Sequence, residues 1–143
     1  MLPEAIHLEI VTPERRIAAD LVDEVMLPGL LGYLGVLPGH APLLTTLGIG
    51  QLVYRKKNVR HYLSISWGFA EILPNRVSVL AEIAERAEEI DQVRATTARD
   101  RALGRLRGGD GGTVTDFDRA RAKLEKALSR LEVARHSGPD EPA

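Results

Sequence analysis

Near Glu85 the chain changes its hydrophobic period, and that change divides the fold into two dissimilar parts. Upstream, apolar and polar residues alternate. In Ile6-His7-Leu8-Glu9-Ile10 the three aliphatic side chains share one face and the two polar ones the other, the repeat of a half-buried strand. Similar short runs recur at Val22 to Leu27, Gln51 to Arg55, Tyr62 to Ser66, Phe69 to Leu73 and Arg76 to Leu80. The pairs Pro28-Gly29, Pro38-Gly39, Lys57-Asn58 and Pro74-Asn75 read as turns between them. Many short strands punctuated in this way predict a sandwich or barrel. Residues 1–85 are therefore expected to form an all-β domain, either a sandwich or a barrel.

Downstream, alanine, arginine, glutamate and leucine take over. The spacing predicts a helix over Ile90 to Arg107, with Ala95, Ala98, Ala102 and Leu106 on one stripe. It is interrupted by RGGDGGTVT, Arg107 to Thr115. Each glycine there costs a helix roughly 1 kcal/mol relative to alanine, so this is a hinge or turn. A second helix is expected from Thr115 as N-cap, with Asp116 and Asp118 in the first turn, where the helix dipole favours them. Phe117, Ala120, Leu124, Ala127, Leu131 and Ala134 recur every three or four residues, a narrow seam for pairing two helices. Residues 86–136 thus read as a helix-turn-helix hairpin and 137–143 as a disordered tail. A short alanine-rich seam buries little apolar area, and isolated helices of this length are marginal in water. The hairpin needs a surface to rest on, and its glycine hinge suits it to more than one.

Composition narrows the function. The net charge is −1, so no overall field draws the chain to nucleic acid or anionic lipid. In the helical half, 12 basic residues face 11 acidic ones, and Phe117 is its one aromatic residue, a poor base-stacking platform. Without cysteine there is no disulfide framework and no thiolate zinc site. The apolar runs are too short to span a bilayer, and MLPEAIHLEIV has no signal-peptide pattern. No nucleophile, base and orienting group form a recognisable catalytic set.

GYLGVLPGHAPLL, Gly32 to Leu44, combines the punctuation of a loop with the leucines of a core. Pro38-Gly39 suits a tight turn and Pro42 blocks a ladder bond, so the segment should cross between sheets near a rim. With WGFAEILPNRVSVLAE at Trp67 to Glu82 and IDQVRA at Ile90 to Ala95, this block resembles the epsilon subunits of F-type ATP synthases, in order and spacing, over about residues 5 to 135. The resemblance implies an N-terminal β-sandwich and a C-terminal two-helix hairpin in a non-catalytic subunit of the proton-translocating complex. It implies a rotor position on the central stalk, at the cytoplasmic face of a bacterial plasma membrane, reached only through the complex. The sandwich would bind the gamma subunit and the c-subunit ring. The hairpin would either fold onto the sandwich or extend into the alpha and beta subunits of the catalytic head, inhibiting ATP hydrolysis. The alternative is a free-standing, nucleotide-sensing β-sandwich module.

Site residues follow from the same resemblance. Leu30, Leu31 and Tyr33 would face the c ring, a more apolar contact than the polar or acidic residue many members carry; His40 would lie near gamma. The other histidines form no ligand spacing with His40, which reads otherwise as a histidine bonded to backbone in a turn, and no metal site is expected. IDQVRA reads as a helix start, with Asp91 as cap, Arg94 in the first turn and Ile90 packing back. Members with this motif can bind regulatory ATP, which here would involve Glu85, Ile90, Asp91, Arg94, Ala95, Arg101, Lys126 and Arg130. Arginine forks suit phosphate oxygens, whereas Asp91 would meet base or ribose. Lys126 departs from the arginine pair usual in ATP-binding members. Arg119, Arg121 and Lys123, on a basic outer surface with Lys126, Arg130 and Arg135, would meet the catalytic head. Trp67 stands where the family usually has glycine.

Overall fold

The computed structural model describes residues 2–108 and 114–137. Seven strands come first: β1 (Ile6–Val11), β2 (Arg16–Val22), β3 (Glu24–Gly29), β4 (Gly32–Val36), β5 (Leu43–Lys56), β6 (Val59–Leu73) and β7 (Arg76–Arg86). They hydrogen-bond in the order β2-β1-β7-β6-β5-β3-β4. All neighbours are antiparallel except β1 and β7. Together they form a β-sandwich whose core is almost wholly aliphatic: Ile6, Leu8, Ile10, Leu27, Leu47, Leu52, Leu63, Ile65 and Ile72 are fully buried.

β5, β6 and β7 are longer than the short predicted runs, and β6 is so because it bends rather than ends. In β6 the core side chains are Leu63 and Ile65 before residue 67 and Ala70 and Ile72 after it, a change of parity. The break in alternation is local. Trp67 has φ 61° and Gly68 φ 138°. A Cβ on Gly68 would lie 2.0 Å from the carbonyl oxygen of Leu80, so only glycine fits against β7 there. The left-handed region is costly for any other L-residue, and Trp67 carries that cost. Tyr62–Ser66 and Phe69–Leu73, predicted as two strands, are therefore one bent strand.

Other boundaries differ from expectation for equally local reasons. The run Val22 to Leu27 is split at Asp23, whose carboxylate accepts from the Lys57 backbone amide and lies 3.5 Å from Arg55. Pro28-Gly29 lies inside β3 instead of turning; the turn is Leu30-Leu31, between paired Gly29 and Gly32. Gly32–Val36 is an edge strand, so only Leu37 to Pro42 of the apolar block is a loop. Its Pro38-Gly39 turn forms as expected: the His40 amide donates to the Leu37 carbonyl at 3.1 Å and Gly39 has φ 88°. Lys57 and Asn58 both have positive φ, the hairpin turn whose twist matches its strands.

A 3-10 turn at Ala87–Glu89 leads into α1 (Gln92–Gly108), and α2 (Val114–Ala134) returns alongside it. α2 lies over β5 and β6, and α1 packs mainly on α2. α1 begins at Gln92 rather than Ile90 because Asp91 caps it: Oδ1 accepts from the Arg94 amide at 3.1 Å. α2 already includes Thr115, so Thr115 is not the residue before the helix; its side chain lies outside the described residues. The glycine hinge at 109–112 and the tail at 138–143 also lie outside them. Ala95, Ala102, Ala120, Ala127 and Ala134 are buried as the seam requires, but Phe117 is 55% exposed. The apolar anchor of the hairpin is instead Val133, 0% exposed, in a cluster with Ala134, Ala87, Ile90 and half-buried Tyr62.

Candidate functional site

Where α1, α2 and the sheet meet, they leave a cavity of about 340 Å³. Its floor is Ser64, Ser66 and Ile83, presented by β6 and β7 on the side away from the sandwich core; the two serines are buried beneath the helices. α1 contributes Arg101 and Arg105, one turn apart, and α2 contributes Lys123, Lys126 and Arg130. Five cationic side chains thus face one carboxylate, Glu85. Such an excess of positive charge in a concave, partly apolar site fits a polyanion with an apolar or aromatic part.

Glu85 and Arg130 fix one end of the cavity. Arg130 Nη2 donates to Oε2 at 3.2 Å, and Nε lies 2.8 Å from Oε1, close enough for an ion pair although poorly aligned for a hydrogen bond. Both side chains are about three-quarters buried. Nearby, Ser129 donates to the Gly50 carbonyl at 3.0 Å and can accept from Ser64 at 2.9 Å. The His136 ring stacks on Tyr62 with centroids 3.7 Å apart. Polar groups and small apolar side chains thus fasten α2 to the sheet.

Of the eight residues expected around a nucleotide, Glu85, Arg101, Lys126 and Arg130 line this cavity. Ile90, Asp91, Arg94 and Ala95 do not: they build the helix start, with Ile90 and Ala95 buried and Arg94 exposed. Arg94 and Arg101 are seven residues apart on one helix, but only the later turn reaches the cavity. Arg119 and Arg121 are exposed, as the outer basic surface requires. Lys123 is exposed as well but also lines the cavity, which Lys126 and Arg130 line from half-buried positions. Arg105 was not singled out from the sequence, although its spacing of four from Arg101 places it on the same face.

On the β3–β4 hairpin, Leu30, Leu31 and Tyr33 are 58%, 102% and 58% exposed. The two leucines form a hairpin tip and do not cap the core. Tyr33 leans back over β5, its hydroxyl accepting from the Gln51 amide at 3.0 Å. His40 Nδ1 lies 2.6 Å from the Ala41 carbonyl oxygen. Among the described residues no three His, Asp or Glu side chains gather as metal ligands, and no helix is long and apolar enough to cross a membrane.

Two family descriptions match successive parts of this chain: the beta-sandwich domain of the ATP synthase delta/epsilon chain over residues 5–87, and its long alpha-helix domain over residues 84–135. The chain is 46% identical over 132 residues to an ATP synthase epsilon chain of Nitratidesulfovibrio vulgaris, covering 92% of this chain and 97% of that one. It is 42% identical over 137 residues to ATP synthase epsilon chain 2 of Syntrophotalea carbinolica, covering 96% and 99%. A chain in the mitochondrial ATP synthase of Euglena gracilis shares the fold with a TM-score of 0.80 at 24% identity, over 95% of this chain and 84% of that one. A chain in the central stalk and c-ring structure of the Tetrahymena thermophila enzyme does so with a TM-score of 0.59 at 12% identity, over 90% and 96%.

Proposed function

This chain belongs to the ATP synthase delta/epsilon family, as an epsilon chain and hence a non-catalytic subunit, and we propose that it is a central-stalk rotor component whose hairpin is a nucleotide-sensitive brake. The sandwich couples the c ring to the gamma subunit, through the exposed tip Leu30-Leu31 with Tyr33 and through the region of His40. The hairpin, docked on the sandwich, leaves the catalytic head free to hydrolyse ATP. Extended, it presents Arg119, Arg121 and the released cations to the alpha and beta subunits and inhibits hydrolysis. The chain works at the cytoplasmic face of a bacterial plasma membrane and reaches the membrane only through the complex. Family membership leaves no ground for a free-standing module.

One observation carries the regulatory part: five cations line a cavity that exists only while the hairpin is docked. Without an anion their mutual repulsion opposes docking. A bound nucleoside triphosphate reverses the sign and holds the hairpin down, by its differential affinity for the docked state. Calorimetric titration of the chain with ATP tests this. Saturable binding is expected, weakened at least about tenfold by Arg101→Ala, the loss of one charge-assisted contact worth about 1.5–3 kcal/mol. Arg94→Ala should weaken binding less, because Arg94 lies off the cavity. Absence of binding at millimolar ATP, or affinity indifferent to Arg101, overturns the nucleotide reading.

A further inference from the structure

The exposed β3–β4 hairpin and helix α2 hold opposite ends of the same peptide group. That group joins Gly50 to Gln51 in β5. Its N–H donates to the Tyr33 hydroxyl at 3.0 Å, and its carbonyl accepts from the Ser129 hydroxyl at 3.0 Å. Ser129 has a single hydroxyl hydrogen, so its 2.9 Å contact with Ser64 is one in which Ser64 donates. The bonds therefore run in one sense, from Ser64 to Ser129 to the Gly50 carbonyl, and from the Gln51 amide to Tyr33.

Two features show that this place is shaped for the contact. The β3–β5 ladder is irregular here: Met26 pairs with Val53, but the next pairing is Gly29 with Leu47. Tyr33 binds the Gln51 amide within that gap. Gly50 is also the residue that lets Tyr33 approach, since a Cβ there would lie 2.5 Å from the Tyr33 hydroxyl and 2.8 Å from Cβ of Pro28. A peptide group that accepts a bond at its carbonyl becomes a better donor at its N–H, and the reverse holds as well.

We propose that the Gly50–Gln51 peptide couples the β3–β4 hairpin to the docking of α2, so that a partner seated on the Leu30-Leu31 tip and Tyr33 changes how readily the regulatory hairpin lets go. This rests on the reading above that the hairpin undocks. The partner that acts on it is a protein presenting an apolar surface to Leu30 and Leu31, which are 58% and 102% exposed. A partner that draws Tyr33 away removes one support of the peptide and loosens Ser129. A partner that presses Tyr33 inward does the opposite. Coupling of this kind is reciprocal, so release of α2 must also loosen Tyr33.

Hydrogen exchange of the full chain, followed by mass spectrometry on α2 and on β3 to β5, tests the coupling without any partner. Tyr33→Phe removes the acceptor and keeps the ring. It is expected to speed α2 exchange about twofold to fivefold, as for a shared neutral hydrogen bond. Gly50→Ala, which expels Tyr33 sterically, should act in the same direction. Leu31→Ala, in the same hairpin but off the peptide, should leave α2 unchanged. Combined with Ser129→Ala, Tyr33→Phe should have less than its separate effect, and Ser129→Ala alone should speed exchange at the β3–β4 hairpin. If α2 opens independently of the sandwich but ignores Tyr33→Phe and Gly50→Ala, the coupling is refuted while undocking stands. If α2 exchanges only together with β5 and β6, the hairpin does not undock by itself, and both readings fall.

Discussion

The sandwich and the hairpin are held together by different materials. Inside the sandwich, leucine, isoleucine and valine side chains are fully buried from both layers. Between hairpin and sandwich, the buried side chains are mostly alanines, with Val133 and Ile90 as the larger ones, supplemented by Ser129, Arg130 and His136. Large aliphatic side chains contribute about 1.5–3 kcal/mol each when buried, and alanine much less. A part that transmits torque must resist shear, and a part that switches must separate at a cost of only a few kcal/mol. The two kinds of interface meet those two requirements within one short chain.

The largest expected effect sharpens this contrast directly. Leu63→Ala, at a fully buried core position, should cost about 2–5 kcal/mol and lower the stability of the whole molecule in urea or thermal unfolding. Val133→Ala, equally buried, should cost about 1–2 kcal/mol, and the loss should be confined to α2. Exchange of β6 amides would report the first change and exchange of α2 amides the second. A Val133→Ala variant that destabilised β6 as much as α2 would mean that the two regions form one cooperative unit, and the contrast would fail.

How much of this was legible in the sequence depends on the range over which the cause acts. The change of period near Glu85 gave the two regions, and Asp91 as a cap was visible because its partner Arg94 is three residues away. The strand runs were legible where alternation was clean, as in β1. They were misread at Trp67-Gly68, where a left-handed kink changes the parity inside a strand that continues. β4 was missed because glycine and tyrosine on an edge strand give no alternating pattern; it is defined by pairing with β3. For the cavity, the cationic residue types were evident but their direction was not. Arg130 turns inward because Glu85, 45 positions earlier, lies beneath it. Arg94 stays outside because the approach of α2, not the periodicity of α1, decides which turn of α1 closes the cavity.

A middle-sized effect concerns the rigidity of the sandwich. At Trp67 the backbone occupies a region that costs an L-residue about 1–2 kcal/mol. The usual order of alanine over glycine should therefore invert. Trp67→Ala loses the half-buried indole and keeps the strain. Trp67→Gly loses the same contacts but relieves the strain, and should be the more stable of the two by about 1 kcal/mol, after the entropy glycine adds to the unfolded chain is counted. Urea titration of the pair measures this difference with side-chain contacts nearly cancelled. If alanine proved the better replacement, the bend in β6 would be relaxing in the variant, and the sandwich would be less rigid at that corner than the contrast requires.

The smallest expected effects distinguish the regions by where acid weakens them. A hydrogen bond from Lys56 holds the Asp20 carboxyl below the usual carboxylate range, and Lys56 Nζ lies 2.8 Å from both carboxylate oxygens, tying β2 to β5 on the surface of the sandwich. A hydrogen bond from Arg15 does the same for Glu89, which lies in the turn that leads to the hairpin. In each case the folded state binds its proton less tightly than the unfolded chain. The contribution is therefore complete above the ordinary carboxylate range, near about pH 4, and fades as pH falls through the lowered value. Both pairs are solvent-exposed, so the gains are small and salt should reduce them further. Asp20→Asn should lower global stability at neutral pH and Glu89→Gln should loosen the hairpin base, with each difference from the parent closing in acid. Urea unfolding and α2 exchange, each followed from pH 7 to pH 3, would separate the two. If Glu89→Gln instead altered β6 exchange as strongly as α2 exchange, the junction would belong mechanically to the sandwich, and the boundary between rigid and releasable parts would lie beyond Glu89, at the start of α1.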